Sequence, residues 1–273
     1  MLDNHNEMLK SNYEAVKKNI KAACERSGRD KSEVCLIAVS KTKPQEDIMQ
    51  IYECGEHQFG ENYVQEMVDK ADTLPKDITW HMIGHLQRNK VKYVVGRASM
   101  IHSVDSLRLA EAINQEAVKK GIVADILIEV NVAGELNKFG FKPEEVEAFV
   151  RAISGFSGIR VRGLMTSAPY VENPEDNRCY FRQLKQLCVD INAKNIDKGW
   201  NSDIWSQGLF TLICFGDTKE SQIIRYRRVF IMGMLDGLTN MFKMHDDDDF
   251  DDDYEDYDDD FGDDYDDEKP SAR

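Results

Sequence analysis

The stretch "VCLIAVSKTKPQEDIMQIYECG", Val34 to Gly55, sets the pattern of the chain. "VCLIAVS" (34–40) is a short β-rich apolar run of the kind that forms a buried strand. Pro44 then opens a helical segment, Ile48, Ile51 and Tyr52 share one face of it, and Gly55 closes it. Between strand and helix stands Lys41, an amine placed where the apolar run stops.

The same strand-then-helix unit recurs downstream. Strands are predicted at 57–62, 78–84, 99–105, 124–132 and 159–167, and the helices after them at 63–74, 88–95, 106–121, 142–154 and 173–194. Ser106 is a plausible N-cap. An opening helix over 8–26 precedes the series, with Tyr13, Val16, Ile20 and Ala23 at helical spacing and Gly28 as its stop. Strands joined in turn by helices imply a parallel sheet. Right-handed crossovers close such units into a (β/α)8 barrel or leave a doubly wound open sheet. No G-x-G-x-x-G follows the first strand, which counts against a dinucleotide-binding version.

Six units are two short of a barrel, and the rhythm breaks after residue 199. Residues 200–231 hold two apolar runs with no good helix between them. A short amphipathic helix is predicted over 232–245, with Met234, Leu235, Leu238, Met241 and Phe242 on one face. From Asp246 to Glu268 there are seventeen acidic residues and no basic one; removing −17 from the net charge of −15 leaves +2 for the remainder. Residues 246–273 are therefore expected to be a disordered acidic tail. The charge excludes nucleic acid as a partner, because the body has no basic excess and the tail repels phosphate. The six cysteines form no C-x-x-C pair, no basic-then-apolar leader opens the chain, and no run approaches a membrane span. These features point to a reducing cytoplasm.

Sites in parallel α/β folds lie at the carboxyl ends of the strands. The polar residues there are Lys41, Glu61 and Asn62, His85, His102 with Asp105, Asn131, and Thr166 with Ser167. A lysine partly desolvated at a strand mouth loses its proton more readily and suits Schiff-base chemistry; the alternative is a solvated loop lysine beside Lys43. His81 and His85 are four apart but not on a helix, so a metal pair is not expected, and His81 reads as a hydrogen-bonded wall residue. "ELNKFGF" (135–141) reads as a turn in which Lys138 is solvated.

The motifs "LIAVSKTKP", "FGENYVQE", "WHMIGHLQRNK", "IHSVD", "EVNVAGELNKFGF" and "RGLMTSAP" occur in this order over roughly residues 8–197. In them the chain resembles the pyridoxal phosphate homeostasis proteins, the YggS/PROSC family, related to the N-terminal barrel of alanine racemase. The resemblance implies a (β/α)8 TIM-type barrel, α/β in class and alanine racemase N-terminal-like, holding pyridoxal 5′-phosphate as an aldimine on Lys41. It also implies that Asn62, His81 and Met165 line the cofactor pocket. Such proteins look like monomeric cofactor carriers serving intracellular homeostasis, without turnover of their own and with pyridoxal phosphate-dependent apo-enzymes as recipients. The alternative within the same fold is an amino-acid racemase.

The chain departs from this pattern at the end. The family's seventh strand, of the type S-M-G-M-S, is echoed only by Ser206 and Gly208, and no V-R-x-G-T follows for the eighth. The barrel is therefore expected to be incomplete at strands 7–8, with a weakened phosphate cup. "MGMLDGLTNMFKMHDDDDFDDDYEDYDDDFG" resembles instead the opening of the SepF cell-division proteins, which implies a second alternative, a membrane- or division-protein-binding module. Its single basic residue, Lys243, beside an acidic run disfavours anionic membranes. Two resemblances in one chain predict a frameshift or deletion near residues 198–215. Sequencing the coding DNA should find S-M-G-M-S or V-R-x-G-T in another frame and a start site at Met232; finding none of these removes the idea.

Overall fold

The computed structural model describes residues 2–28, 30–169, 171, 174–194, 196, 209–214 and 228–233. Its eight strands are β1 (Val34–Val39), β2 (Gln58–Glu61), β3 (Thr79–Met82), β4 (Met100–Val104), β5 (Ala124–Glu129), β6 (Ile159–Ser167), β7 (Leu209–Cys214) and β8 (Arg228–Gly233). Each pairs in parallel with the next, and β8 pairs with β1 from Val34↔Arg228 to Val39↔Gly233, so the sheet is a closed barrel. The helices are α1 (Leu2–Arg26), α2 (Gln45–Glu53), α3 (Val64–Thr73), α4 (Val91–Val94), α5 (Leu107–Lys119), α6 (Val146–Ile153) and α7 (Arg178–Ala193).

The apolar strands are explained by burial on both faces. Ile37, Val39, Ile83, Leu127 and Met165 point into the ring and form one cluster. Their neighbours Ala38, Met82, Ile126, Ile128 and Leu164 point outward and pack against helix residues such as Ile48, Met67, Ile113, Val150 and Leu184. The interior is filled. A Cβ on Gly60 would stand 3.0 Å from both Ile37 Cγ2 and Ile83 Cδ1. Helix α1 starts six residues earlier than expected, and His5 Nε2 meets Asp47 Oδ1 of α2 at 3.0 Å, tying its first turns down. Tyr13 of α1 reaches the loop before β2 by donating to Glu56 at 3.2 Å.

The incompleteness expected at strands 7–8 belongs to the units and not to the ring. The runs "LFTLIC" and "RVFIMG" carry the apolar, β-branched character a buried parallel strand needs, and backbone pairing does not require the family's motif. Among the described residues no helix follows β7 or β8. The region expected to be only a junction, 200–231, thus holds β7 and most of β8. The helix expected to begin at 232 is corrected at its start, because Met232 and Gly233 belong to β8; residues 234–245 and the acidic tail lie outside the described residues. One compact unit runs from Met1 to Asp236.

Ending the chain at Arg227 removes β8 and leaves one edge of β1 unpaired along its length. The shortened chain should aggregate and lose its cooperative melt, with amide exchange at Val34–Val39 accelerated by more than about tenfold. A melt equal to that of the full chain would show that closure through β8 is dispensable.

Candidate functional site

The carboxyl ends of the eight strands form one mouth, and Lys41 stands two residues past the end of β1. Both its neighbours are pinned. Ser40 donates its N–H to Gly60 O (2.9 Å) and its hydroxyl to Glu61 Oε1 (2.6 Å). Lys70, from α3, donates to Ser40 O (2.7 Å), to Glu61 Oε1 (2.8 Å) and to Glu66 Oε2 (2.8 Å). The Thr42 N–H donates to that same Glu66 oxygen at 2.9 Å. One buried ammonium and two carboxylates therefore hold the chain on either side of Lys41. Burial raises the Glu61 carboxyl above its ordinary pKa, and the Lys70 and Ser40 hydrogen bonds draw it part of the way back.

The clamp has strain to hold. Thr42 has φ 59°, the one non-glycine residue with positive φ among those described. The left-handed region costs an L-residue roughly 1–2 kcal/mol, and a β-branched side chain makes it rarer still. A hydrogen bond to a charged group contributes about 1.5–3 kcal/mol when shielded. Glu66 is 31% exposed and Thr42 is exposed, so solvent screens the bond and its contribution is comparable to the strain rather than in excess of it.

Beneath Lys41 the barrel is apolar. Met165, 1% exposed, lies in the interior cluster with Val39 and Ile83. Asn62 follows β2 at the mouth, and the chain after β3 presses against it: a Cβ on Gly84 would stand 2.5 Å from the Asn62 carbonyl oxygen. His81 lies deeper, two residues before Ile83 on the same face of its strand. Its Nε2 meets Gln58 Oε1 at 2.8 Å and its Nδ1 meets His102 Nε2 at 2.9 Å. With the Gln58 oxygen accepting, His81 carries its proton on Nε2 and accepts from His102. Burial pushes His81 down to about 4 and His102 well below its ordinary value, so both are neutral at pH 7. His81 is thus the wall residue its sequence context suggested, one layer below the mouth.

Across the ring from β1, other candidates gather near the end of β5. His85 Nδ1 pairs with Asp105 Oδ2 at 3.1 Å and its ring stacks on Phe139 with centroids 4.0 Å apart. The Asp105 hydrogen bond raises the His85 pKa, against the opposing effect of burial. Burial, reinforced by Asp105, pushes Glu129 up to about 7, and His85 opposes that rise. Asn131 accepts from the Glu135 N–H at 3.1 Å and donates to Glu135 O at 2.7 Å, closing the predicted turn. Lys138, expected to be solvated, instead ion-pairs with Glu135 (2.8 Å) and donates to Ala168 O (3.3 Å), which ties this loop to the end of β6. Thr166 is buried and Ser167 half-buried at that end. Ser206 and Gly208 lie outside the described residues, and β7 begins just after them.

Three partners escaped the sequence reading: Gln58, Glu66 and Lys70. Lys70 had a signal. It lies in line with the buried Met67 on α3 and Leu74 at the helix C-cap, and a lysine in an apolar stripe calls for a buried acid. A cleft of about 470 Å³ opens at the opposite end of the barrel, among Trp80, Arg97, Ser99, Ile122, Asp125 and Arg160; it touches none of the mouth residues. Among the described residues no group of three metal-ligating side chains occurs and no helix is long and apolar enough to cross a membrane. Cys24, Cys35, Cys54, Cys179 and Cys188 form no disulfide; Cys24 and Cys188 are buried, as expected of small hydrophobes, while Cys179 is exposed.

Residues 11–218 match the family model described as alanine racemase, N-terminal domain. The chain is 47% identical over 180 residues to the pyridoxal phosphate homeostasis protein of Aquifex aeolicus, covering 66% of this chain and 79% of that one. Among solved structures, a protein from Bifidobacterium adolescentis described only as unknown superposes with a TM-score of 0.73 at 29% identity, over 84% of this chain and 94% of that one. PipY of Synechococcus elongatus PCC7942, solved with PLP bound, gives a TM-score of 0.60 at 26% identity, covering 78% and 97%.

The His81–His102 pair predicts an acid-sensitive barrel. The folded pKa of His81 lies below its unfolded value near 6.5, so the unfolded state takes up the proton first. The stabilisation is present above pH 6.5 and is lost as pH falls towards 4; the shift corresponds to on the order of 3 kcal/mol. The raised pKa of Glu129 acts with the opposite sign, so the test compares urea unfolding of the native chain with a His81→Leu/His102→Leu variant. The native chain should lose stability relative to the variant between pH 7 and 4; parallel curves would contradict the assignment.

Proposed function

The chain belongs to the alanine racemase N-terminal-domain family, among the pyridoxal phosphate homeostasis proteins, and from that premise we propose that it binds pyridoxal 5′-phosphate covalently and reversibly at Lys41 Nζ and serves cofactor homeostasis in the cytoplasm. The observation that carries this reading is the placement of Lys41: an amine on a clamped turn, at the mouth of a barrel whose interior below it is lined by Ile37, Val39, Ile83, Leu127 and Met165. The cofactor supplies an aldehyde that condenses with an unprotonated amine, losing water, and is released again by hydrolysis or by another amine.

The residues present fit that group. Val39, Ile83 and Met165 offer an apolar floor to a flat ring and keep water from beneath it. Asn62 brings an amide to the rim, and the His81–Gln58–His102 relay supports the floor from below without adding charge. Phosphate in such barrels sits on the loops after the last two strands; here these are residues 215–227 and those from 234 onward, outside the described residues. The sequences "LFTLIC" and "RVFIMG" hold no V-R-x-G-T, and a weakened phosphate grip is part of the proposal. So are a monomeric state, release to pyridoxal phosphate-dependent apo-enzymes and the absence of turnover. The racemase and division-module alternatives are not carried forward: the relatives are homeostasis proteins, and residues 234–273 are not among those described.

Titration of the purified full chain with pyridoxal phosphate should produce a visible absorbance band. Borohydride reduction followed by peptide mapping should place the label on the peptide containing Lys41, and Lys41→Ala should abolish both. No band in the native chain, or a label elsewhere, overturns the assignment.

A further inference from the structure

We propose that Glu66, anchored by Lys70, is the positioning residue of Lys41: its carboxylate holds Thr42 in the left-handed conformation that fixes where the lysine amine emerges. This rests on the reading of Lys41 as the cofactor lysine. The strand alone does not fix that position, because β1 ends at Val39, Ser40 follows it, and Lys41 and Thr42 form a turn. Upstream, Ser40 is held by Gly60, Glu61 and Lys70. Downstream, the hold reaches Thr42 through Glu66 Oε2, which takes the Thr42 N–H at 2.9 Å and the Lys70 Nζ at 2.8 Å.

The division of labour follows from burial. The Glu61–Lys70 pair is almost wholly enclosed, with side chains 0% and 8% exposed, so removing either partner would strand a buried charge and test stability rather than position. Glu66 stands at the helix surface, 31% exposed. Its loss leaves Lys70 with Glu61 and Ser40 O, so the enclosed cation keeps its counter-charge. Two bonds disappear, the one from Lys70 Nζ, which keeps its other two acceptors, and the one from the strained Thr42 backbone. Thr42 also donates its hydroxyl to Lys41 O at 2.7 Å, so a flip at Thr42 would carry the Lys41 peptide with it.

The test uses the full chain with Glu66→Ala and Glu66→Gln. In the cofactor-free protein, amide exchange at Thr42 should quicken about tenfold in Glu66→Ala, while Val34–Val39 stay protected. The pH profile of Lys41 acylation, read by competitive labelling against the other lysines, should shift. With pyridoxal phosphate loaded, release to a hydrazide trap should quicken about tenfold, with thermal unfolding little changed. Glu66→Gln retains an oxygen acceptor and should recover most of each effect. Unchanged Thr42 exchange in Glu66→Ala overturns the clamp. Faster exchange with unaltered Lys41 labelling and release overturns the positioning role. Failure of the native chain to take up the cofactor would instead sink the proposed function, and exchange and labelling would still decide the clamp.

Discussion

A parallel strand has two edges, and each must find a partner. In this chain β1 meets β2 on one side and β8 on the other, and the second pairing spans nearly two hundred residues of sequence. Everything else follows from that closure. A closed ring has an inside, so alternate residues of an apolar strand need two different environments, and the strands read as continuous hydrophobic runs rather than alternating ones. A closed ring also has two ends. The chain enters every strand at one end and leaves at the other, so the polar residues that terminate apolar runs collect at a single rim.

That rim is built in two ways. On the side of β1 and β2 it rests on charge: Lys70 draws Ser40, Glu61 and Glu66 together, and the turn carrying Lys41 is bound into the network. Near the end of β5 it rests on pairs that meet across neighbouring loops: His85 with Asp105, and Lys138 with Glu135 and the end of β6. Between them lies a floor without charge. The two histidines below it are neutral because burial disfavours their charged forms. A charged pair at that depth would cost more than the interior could return.

Much of this was legible in the sequence. The first six strands and their helices lie close to their expected places, because each apolar run ends cleanly and each helix carries its own stop. Lys41 was legible for the same reason. The seventh and eighth strands were not recognised as ring members, since their sequences lack the family's motif and no good helix is predicted between them, and closure depends on partners far away in the chain. Lys70 was missed because, beside Glu66 four residues earlier, it looks like an ordinary surface pair, and that outweighed its place in line with Met67 and Leu74; the docking of α3 behind β1 and β2 shows that it faces inward. The His81–His102 contact was invisible for a related reason. Spacing invited comparison of His81 with His85, whereas the adjacency of β3 and β4 joins it to a residue twenty-one positions on.

Gly84 places Asn62 by another kind of force. No bond is involved; the backbone after β3 runs so close to Asn62 that there is no room for a β-carbon between them. Exclusion of this sort has no charge to screen and no proton to lose, so neither salt nor pH loosens it. The amine side of the mouth is held by ions and can respond to its surroundings, while the amide side is held by volume and cannot. A ring lodged between them would have one wall that yields with conditions and one that stays where it is.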